Sequence, residues 1–219
     1  MKKALLRKAA YVGLGATLAI GLLHLPAAAP LLRAISPSAV CPLTRGTAAQ
    51  IDRAHDLGAA NLRGASAMTA PARPALGFRL DAPVDLASWA KTHRVTCASV
   101  GENATLQRCV DVLADDGSTI DEVTFETRAT GELVNVQTMR RGLSPETAAA
   151  LATRLEDRAA HELGAPTKLG GEATAAHFAH GKLATYIAEH AFHDYRATIS
   201  ATSFGERGTM VREQYLSVL

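Results

Sequence analysis

Four histidines near the C-terminal end form two pairs with the same spacing. His177 and His180 lie in the stretch HFAH, and His190 and His193 lie in AEHAFHDYRA beside two carboxylates. A zinc or copper site needs three or four such ligands to converge. No His-Glu-x-x-His motif is present. Residues 190 and 193 point to opposite faces of a regular strand, so the spacing favours solvated histidines at a turn, with a metal site as the alternative.

Two of the three cysteines, Cys97 and Cys109, flank the stretch ASVGENATLQR. They are equidistant from Asn103, so a hairpin centred there places them opposite each other, close enough to form a disulfide. A loop of this length contributes about 3 kcal/mol in the chain-entropy model. The alternative is a thiol-redox pair, although such pairs usually show Cys-x-x-Cys. Cys41 is left without an assigned partner.

A polar and an apolar series alternate from residue 194 onward. Asp194 and Arg196 share one face with a run of hydroxyl side chains, and Tyr195 and Ala197 belong to the other. The pattern predicts a half-buried strand with a wet face. That face is a candidate ligand or partner surface, formed by Asp194, Arg196 and Arg212, with the two arginines as anion contacts. The nucleophile motif Gly-x-Ser-x-Gly is absent, which favours binding over catalysis.

The N-terminus has the pattern of a targeting segment. Four basic residues within the first eight precede residues 9–32, which contain no Lys, Arg, Asp or Glu. As a helix this run spans roughly 36 Å, enough to cross a hydrocarbon core. It predicts a signal anchor. The alternative is a cleaved secretory signal, but Pro30 would follow the cleavage site after Ala29 and hinder it.

Charge predicts the orientation and excludes one class of partner. The basic residues before the apolar run keep the N-terminus in the cytoplasm, so the C-terminal domain is extracytoplasmic, in the periplasm or its equivalent. Residues 1–33 hold five of the 23 basic residues and none of the 21 acidic ones, so the remainder has a formal charge of −3. A slightly acidic domain does not have the charge of a nucleic-acid binder.

Periodicity predicts the elements of the exported part. A capping box opens a helix at 47–62, a Pro/Ala linker runs over 64–77, and Trp89 anchors a short helix at 83–92. Ser144 caps a longer helix that ends at Gly164, and its apolar stripe is expected to cover the preceding meander. Residues 168–181 are expected to be a loop or a poorly ordered short element. The predicted strands are 94–100, 106–114, 120–128 and 132–140, then 182–188, 192–204 and 208–218.

These observations predict an α+β protein with three parts. Residues 1–33 are a transmembrane anchor, residues 34–77 a membrane-proximal helix and linker, and residues 78–219 an exported domain. The domain is an antiparallel sheet, with a meander of about four strands, a helix and about three strands, and helices on one face. We expect it to bind an envelope protein, another copy of itself or a small ligand, without a cofactor. The alternative is a metal-binding protein or metal-dependent enzyme using the four histidines.

Overall fold

The computed structural model describes residues 52, 55–56, 68–100, 104–114, 117–180 and 183–219. The predicted anchor, residues 9–32, and Cys41 lie outside them. No helix in the described part of the chain is long and apolar enough to cross a membrane. Three residues of the predicted helix 47–62 are described, and all three are helical. One of them, Asp56, accepts a hydrogen bond of 2.9 Å from Arg128.

The described residues form one antiparallel sheet of eight strands with helices, so the predicted α+β class is confirmed. Strands β1 to β4 are a meander, strands β5 to β8 are another, and β4 pairs with β8 to join them in the order β1-β2-β3-β4-β8-β7-β6-β5. The strands are β1 (Thr96–Ser99), β2 (Leu106–Leu113), β3 (Thr119–Thr127), β4 (Leu133–Leu143), β5 (Lys168–Gly170), β6 (Thr185–Ala191), β7 (Tyr195–Ser203) and β8 (Thr209–Ser217). The helices are α1 (Leu86–His93), α2 (Pro145–Leu163) and α3 (Ala175–His180), with a 3-10 turn at Gly205–Arg207.

The second half contains more regular structure than its sequence indicates. The sequence predicts about three strands there and a loop or a poorly ordered short element over 168–181, whereas β5 and α3 both fall in that range. A strand of three residues and a helix of six are too short to show a hydrophobic period, so they depend on tertiary contacts. Strand β5 forms by pairing with β6 from Lys168 opposite Glu189 to Gly170 opposite Ile187. Helix α3 buries Phe178.

Helix α2 begins and ends as predicted but covers a different part of the sheet. The Ser144 side chain accepts a hydrogen bond from the Thr147 N–H (3.2 Å), and Gly164 ends the helix at a φ of +83°. The expectation that α2 covers the first meander was wrong, because it packs mainly over β7 and β8. Those strands present small buried residues, including Ala197 and Ala201, and small side chains let a helix approach a sheet closely.

The first meander is covered instead by α1 and the segment before it. Asp85 caps α1 by accepting from the Ser88 N–H (2.9 Å). The rings of Phe78, Trp89 and Phe125 then pack on one another with centroids 5.0–5.5 Å apart. Two of the angles between ring planes are near 71°, the edge-to-face geometry that aromatic pairs prefer. This cluster is the core on the β2–β3 side of the sheet.

Residues 68–81, which precede α1, contact the sheet directly. The Ala70 N–H donates to the Asp194 carboxylate (2.9 Å), and the Tyr195 hydroxyl donates to the Pro74 carbonyl (2.6 Å). Ala75 in this segment is buried in the core. The Pro and Ala content of residues 68–77 predicts part of a linker, whereas in the structure these residues pack against the domain.

Candidate functional site

Cys97 and Cys109 lie opposite each other in the β1–β2 pair and are at disulfide distance, as the symmetry of the hairpin predicted. Their Cα atoms are 4.0 Å apart, and Cys109 is fully buried. The pair joins β1, the edge strand of the sheet, to β2. A buried sulfur next to the core is accessible to few partners, which suits a structural crosslink better than an exchange centre.

The four histidines occupy different surroundings. On α3, His177 is half-buried and His180 is exposed, and each places a ring nitrogen against a backbone carbonyl, at 3.0 and 2.6 Å. His193 is exposed in the turn after β6, whereas His190 is fully buried under α2. No three His, Cys, Asp or Glu residues come together as a potential metal site within the described ranges. The structure therefore does not assemble the predicted ligand cluster.

His190 is buried although the sequence favoured a solvated turn. Strand β6 continues to Ala191, so His190 shares the inward face with Tyr186 and Ala188. Burial lowers the pKa of His190, and the nearby Glu156 carboxylate and Gly164 carbonyl offset that effect in part. Residues 186, 188 and 190 are two apart, so the sequence alone shows that they share one face if the strand extends to residue 190.

The three residues of the predicted ligand face are not grouped at one point. Asp194 is buried just before β7 and holds the Ala70 N–H. Arg196 lies 3.6 Å from the Glu189 carboxylate, and Arg212 donates to the Gln214 side chain at 2.7 Å. Burial lowers the pKa of Arg212. The two arginines are separated along the strands, since Arg196 pairs with Leu216 and Arg212 with Ser200.

A cleft of about 580 Å³ opens on the opposite face of the sheet, between α1 and α2. It exists because α2 packs over β7 and β8 while α1 packs against β1 and β2, so neither helix covers the floor between them. Its size falls within the range of roughly 300–1,000 Å³ that is usual for small-molecule sites. Leu151, Leu155 and three charged side chains of α2 form one wall. The other wall consists of residues 74–78 with Trp89 and His93.

The floor of the cleft contains a buried arginine on β4. Alternation along β4 puts Val136, Thr138 and Arg140 on the helix-bearing face, and the register with β8 shifts directly after Arg140. Bulges of this kind often orient a side chain next to a binding site. Arg140 is 7% exposed, and it donates to the Ser118 hydroxyl (3.4 Å) among its contacts.

A second group of charged residues lies where α2 meets β8. Arg158 forms an ion pair with Glu213, and the Tyr215 hydroxyl also donates to the Glu213 carboxylate. Burial works against the charge on Arg158, but Glu213 and Tyr215 raise its pKa above the usual value. Burial, followed by the Glu213 charge, raises the pKa of Tyr215, so this hydroxyl stays protonated and keeps donating.

The described lining of the cleft combines apolar walls with an excess of positive charge. Three arginines and two glutamates line it, Arg140, Arg154, Arg158, Glu162 and Glu213. Arg154 and Arg158 are four residues apart on α2 and therefore project from the same side of the helix. The cleft can enclose an apolar group while holding an ionic one at its wall.

Sequence reasoning missed this site. Phe78 comes from the segment before α1, Arg140 from β4 and Arg158 from α2, and none of them stands in a motif. One local signal existed, because Arg140 continues the inward series of Val136 and Thr138 and is thus a charge on an apolar face. Comparison of the chain with protein-family models, with curated proteins and with solved structures found no match.

Proposed function

We propose that the domain binds a small ligand in the cleft between α1 and α2. The observation that carries this proposal is a cleft of about 580 Å³ lined by apolar side chains and a few charged ones. Small-molecule sites have this composition, since apolar walls supply affinity and a small number of polar groups fix orientation. Of the two kinds of partner that the sequence predicted, a protein or a small molecule, the concave geometry favours the small molecule.

The metal alternative has no comparable support. His177 contacts the Thr185 carbonyl of β6, His180 contacts the Ala176 carbonyl of α3, and His190 is buried below α2. A metal would require these side chains to leave their positions and converge. We therefore propose that the ligand binds in the cleft and that the histidines have structural roles.

Trp89 makes the proposal directly testable, because it is the only tryptophan of the chain and it lines the cleft. The full chain in nanodiscs is titrated with octan-1-ol, octanoate and octyltrimethylammonium while Trp89 emission is recorded. We expect at least one of these amphiphiles to change the emission saturably. The absence of a saturable change with all three would contradict the proposal.

The first variant for this test carries a larger side chain that fills the cleft. Val123→Phe projects a larger ring from the floor and should abolish the saturable change. Val110→Phe adds the same ring on β2 at a position that is 42% exposed and does not line the cleft, so its titration should match that of the unmodified chain. Equal responses from the two variants would place the ligand elsewhere.

We propose further that residues 9–32 anchor the domain in a membrane and that residues 78–219 are extracytoplasmic. The length of the apolar run and its basic flank support the anchor, and a cysteine pair at disulfide distance suits an oxidising compartment. Alkaline carbonate should leave the full chain in the membrane pellet. A protease added outside the membrane should degrade the domain. Release by carbonate would indicate cleavage or a peripheral protein.

A further inference from the structure

We infer that the ligand of the cleft carries a carbonyl group, as in a ketone, ester or amide, whose oxygen accepts hydrogen bonds from Arg158 while an apolar part of the molecule lies on the floor. This inference rests on the proposed function, because it names the polar group of a ligand of the same cleft. It depends on how Glu213 and Tyr215 hold Arg158, and on which of these three lining side chains a ligand can reach.

Glu213 holds the other two side chains in place. Its Oε1 atom accepts hydrogen bonds from Nη2 of Arg158 and from the Tyr215 hydroxyl. The same Nη2 group also donates to the Tyr215 oxygen at 3.3 Å. These contacts fix the guanidinium before a ligand arrives, so that binding to it costs little side-chain entropy.

Arg158 is the member of this group that a ligand can reach. Its side chain is 48% exposed, whereas Glu213 is 2% and Tyr215 is 4% exposed. A guanidinium has five N–H donors and no acceptor. Among the described residues, the hydrogen bonds of this guanidinium use Nη2 alone, so Nη1 and Nε remain for a ligand. The group therefore offers donors to the cleft, and the ligand has to supply an acceptor.

The acceptor does not need a charge of its own. Burial works against the charge on Arg158, but Glu213 and Tyr215 raise its pKa above the usual value, so the guanidinium stays charged. Glu213 already balances that charge within the ion pair. Hydrogen bonds from an ionised donor are stronger than those between neutral groups, and a carbonyl oxygen accepts through two lone pairs. A neutral carbonyl is therefore sufficient to bind at Nη1 and Nε.

Apolar side chains lie next to Arg158 on the same wall of the cleft. Leu155 precedes it by three residues and Leu151 by seven, so the three project from one side of α2, and both leucines line the cleft. Val123 of the floor and Trp89 of the opposite wall line the same space. A molecule with a carbonyl beside an apolar group can contact both parts at once. The apolar group supplies affinity and the carbonyl fixes the orientation.

The test compares two probes of similar shape, acetophenone, which has a carbonyl, and cumene, which does not. Each is titrated by calorimetry against the full chain in nanodiscs, and the heat from empty nanodiscs is subtracted. Because cumene is the more hydrophobic probe, each is compared only with itself across variants. Arg158→Met should weaken the binding of acetophenone by at least about fivefold and that of cumene by less than about twofold.

A second variant covers the loss of stability that Arg158→Met causes by leaving Glu213 unpaired. Arg158→Met/Glu213→Gln removes that carboxylate charge and keeps an acceptor for Tyr215, and it should show the same selective loss of acetophenone. A loss confined to one probe cannot come from unfolding. Arg207→Met removes a guanidinium at the exposed turn between β7 and β8 and should leave both dissociation constants unchanged.

Two results would overturn the inference while the cleft function stands. One is an unchanged affinity for acetophenone, or an equal loss for both probes, in the two Arg158 variants. The other is no binding of acetophenone to a chain whose Trp89 emission responds saturably to an amphiphile. If no amphiphile changes that emission, the proposed function itself fails.

Discussion

Arg158 of α2 and Glu213 of β8 form an ion pair that connects the helix to the sheet at the edge of the cleft. The two partners are unequal, because the Glu213 side chain is 3% exposed and that of Arg158 is 48% exposed. Glu213 therefore depends on partners within the protein, whereas Arg158 can be hydrated. This asymmetry determines which half of the pair is the more costly to remove.

We expect Arg158→Met to destabilise the domain more than Glu213→Gln. The first variant leaves a buried carboxylate with only the Tyr215 hydroxyl, which costs about 1–3 kcal/mol after allowance for the exposed side of the pair. The second retains a neutral acceptor for Tyr215, and Arg158 turns to water. Urea denaturation of the full chain in detergent micelles measures both. A larger loss for Glu213→Gln would contradict the assignment.

A substitution at Gly171 tests how closely the backbone after β5 approaches β6. A Cβ atom at this position would lie 2.0 Å from the Thr185 carbonyl oxygen, and the φ of Gly171 is +73°. Gly171→Ala should cost more than about 2 kcal/mol of unfolding free energy, because the backbone itself must move. Gly131→Ala is the control, with a φ of +91° and nothing within 4 Å, and should cost only about 1 kcal/mol. Equal losses in the denaturation midpoint would exclude the steric cause.

His190 should make stability depend on pH. Burial lowers its pKa in the fold, with partial compensation from Glu156 and the Gly164 carbonyl, while the unfolded chain binds the proton with a pKa of about 6.5. The stability is therefore complete above that value and is lost as the pH falls towards the folded pKa. The loss between pH 7.5 and 5.5 is at most about 1.4 kcal/mol.

The variant His190→Leu isolates this contribution. It should reduce the difference between the unfolding free energies at pH 7.5 and 5.5, whereas His193→Gln at an exposed turn should leave the difference unchanged. Denaturation at the two pH values measures both variants. An unchanged difference in His190→Leu would show that other groups cause the acid sensitivity.

The Cys97–Cys109 pair should behave as a crosslink. Alkylation of the unfolded, unreduced chain should leave both cysteines unlabelled, and mild thiols should not reduce them in the folded domain. The double variant Cys97→Ala/Cys109→Ala should lose about 3 kcal/mol in the chain-entropy model. Mass spectrometry after alkylation and urea denaturation check the two statements. Rapid reduction of the folded protein would favour the thiol-redox alternative.

The local elements were largely predictable from the sequence. Strands β2, β3 and β4 and helix α2 were predicted within about three residues at each end, because each is long enough to show its own period. The pairing of Cys97 with Cys109 followed from the symmetry of one hairpin. These features depend on neighbours along the chain, so no distant residue was needed to find them.

The site depended on contacts that no local pattern contains. Arg140, Arg154 and Trp89 line one cleft because β4 pairs with β8, which joins the two meanders. The cleft also requires that α2 packs on the alanines of β7 instead of on the first meander. His190 turned inward because β6 runs to Ala191, three residues beyond the predicted end. The sequence by itself determined the longer helices and strands, through hydrophobic period and capping, whereas β5 and α3 required tertiary contacts. Only the tertiary structure decided how the two meanders join and where α2 packs, because these follow from side-chain volumes on surfaces that meet across the sheet.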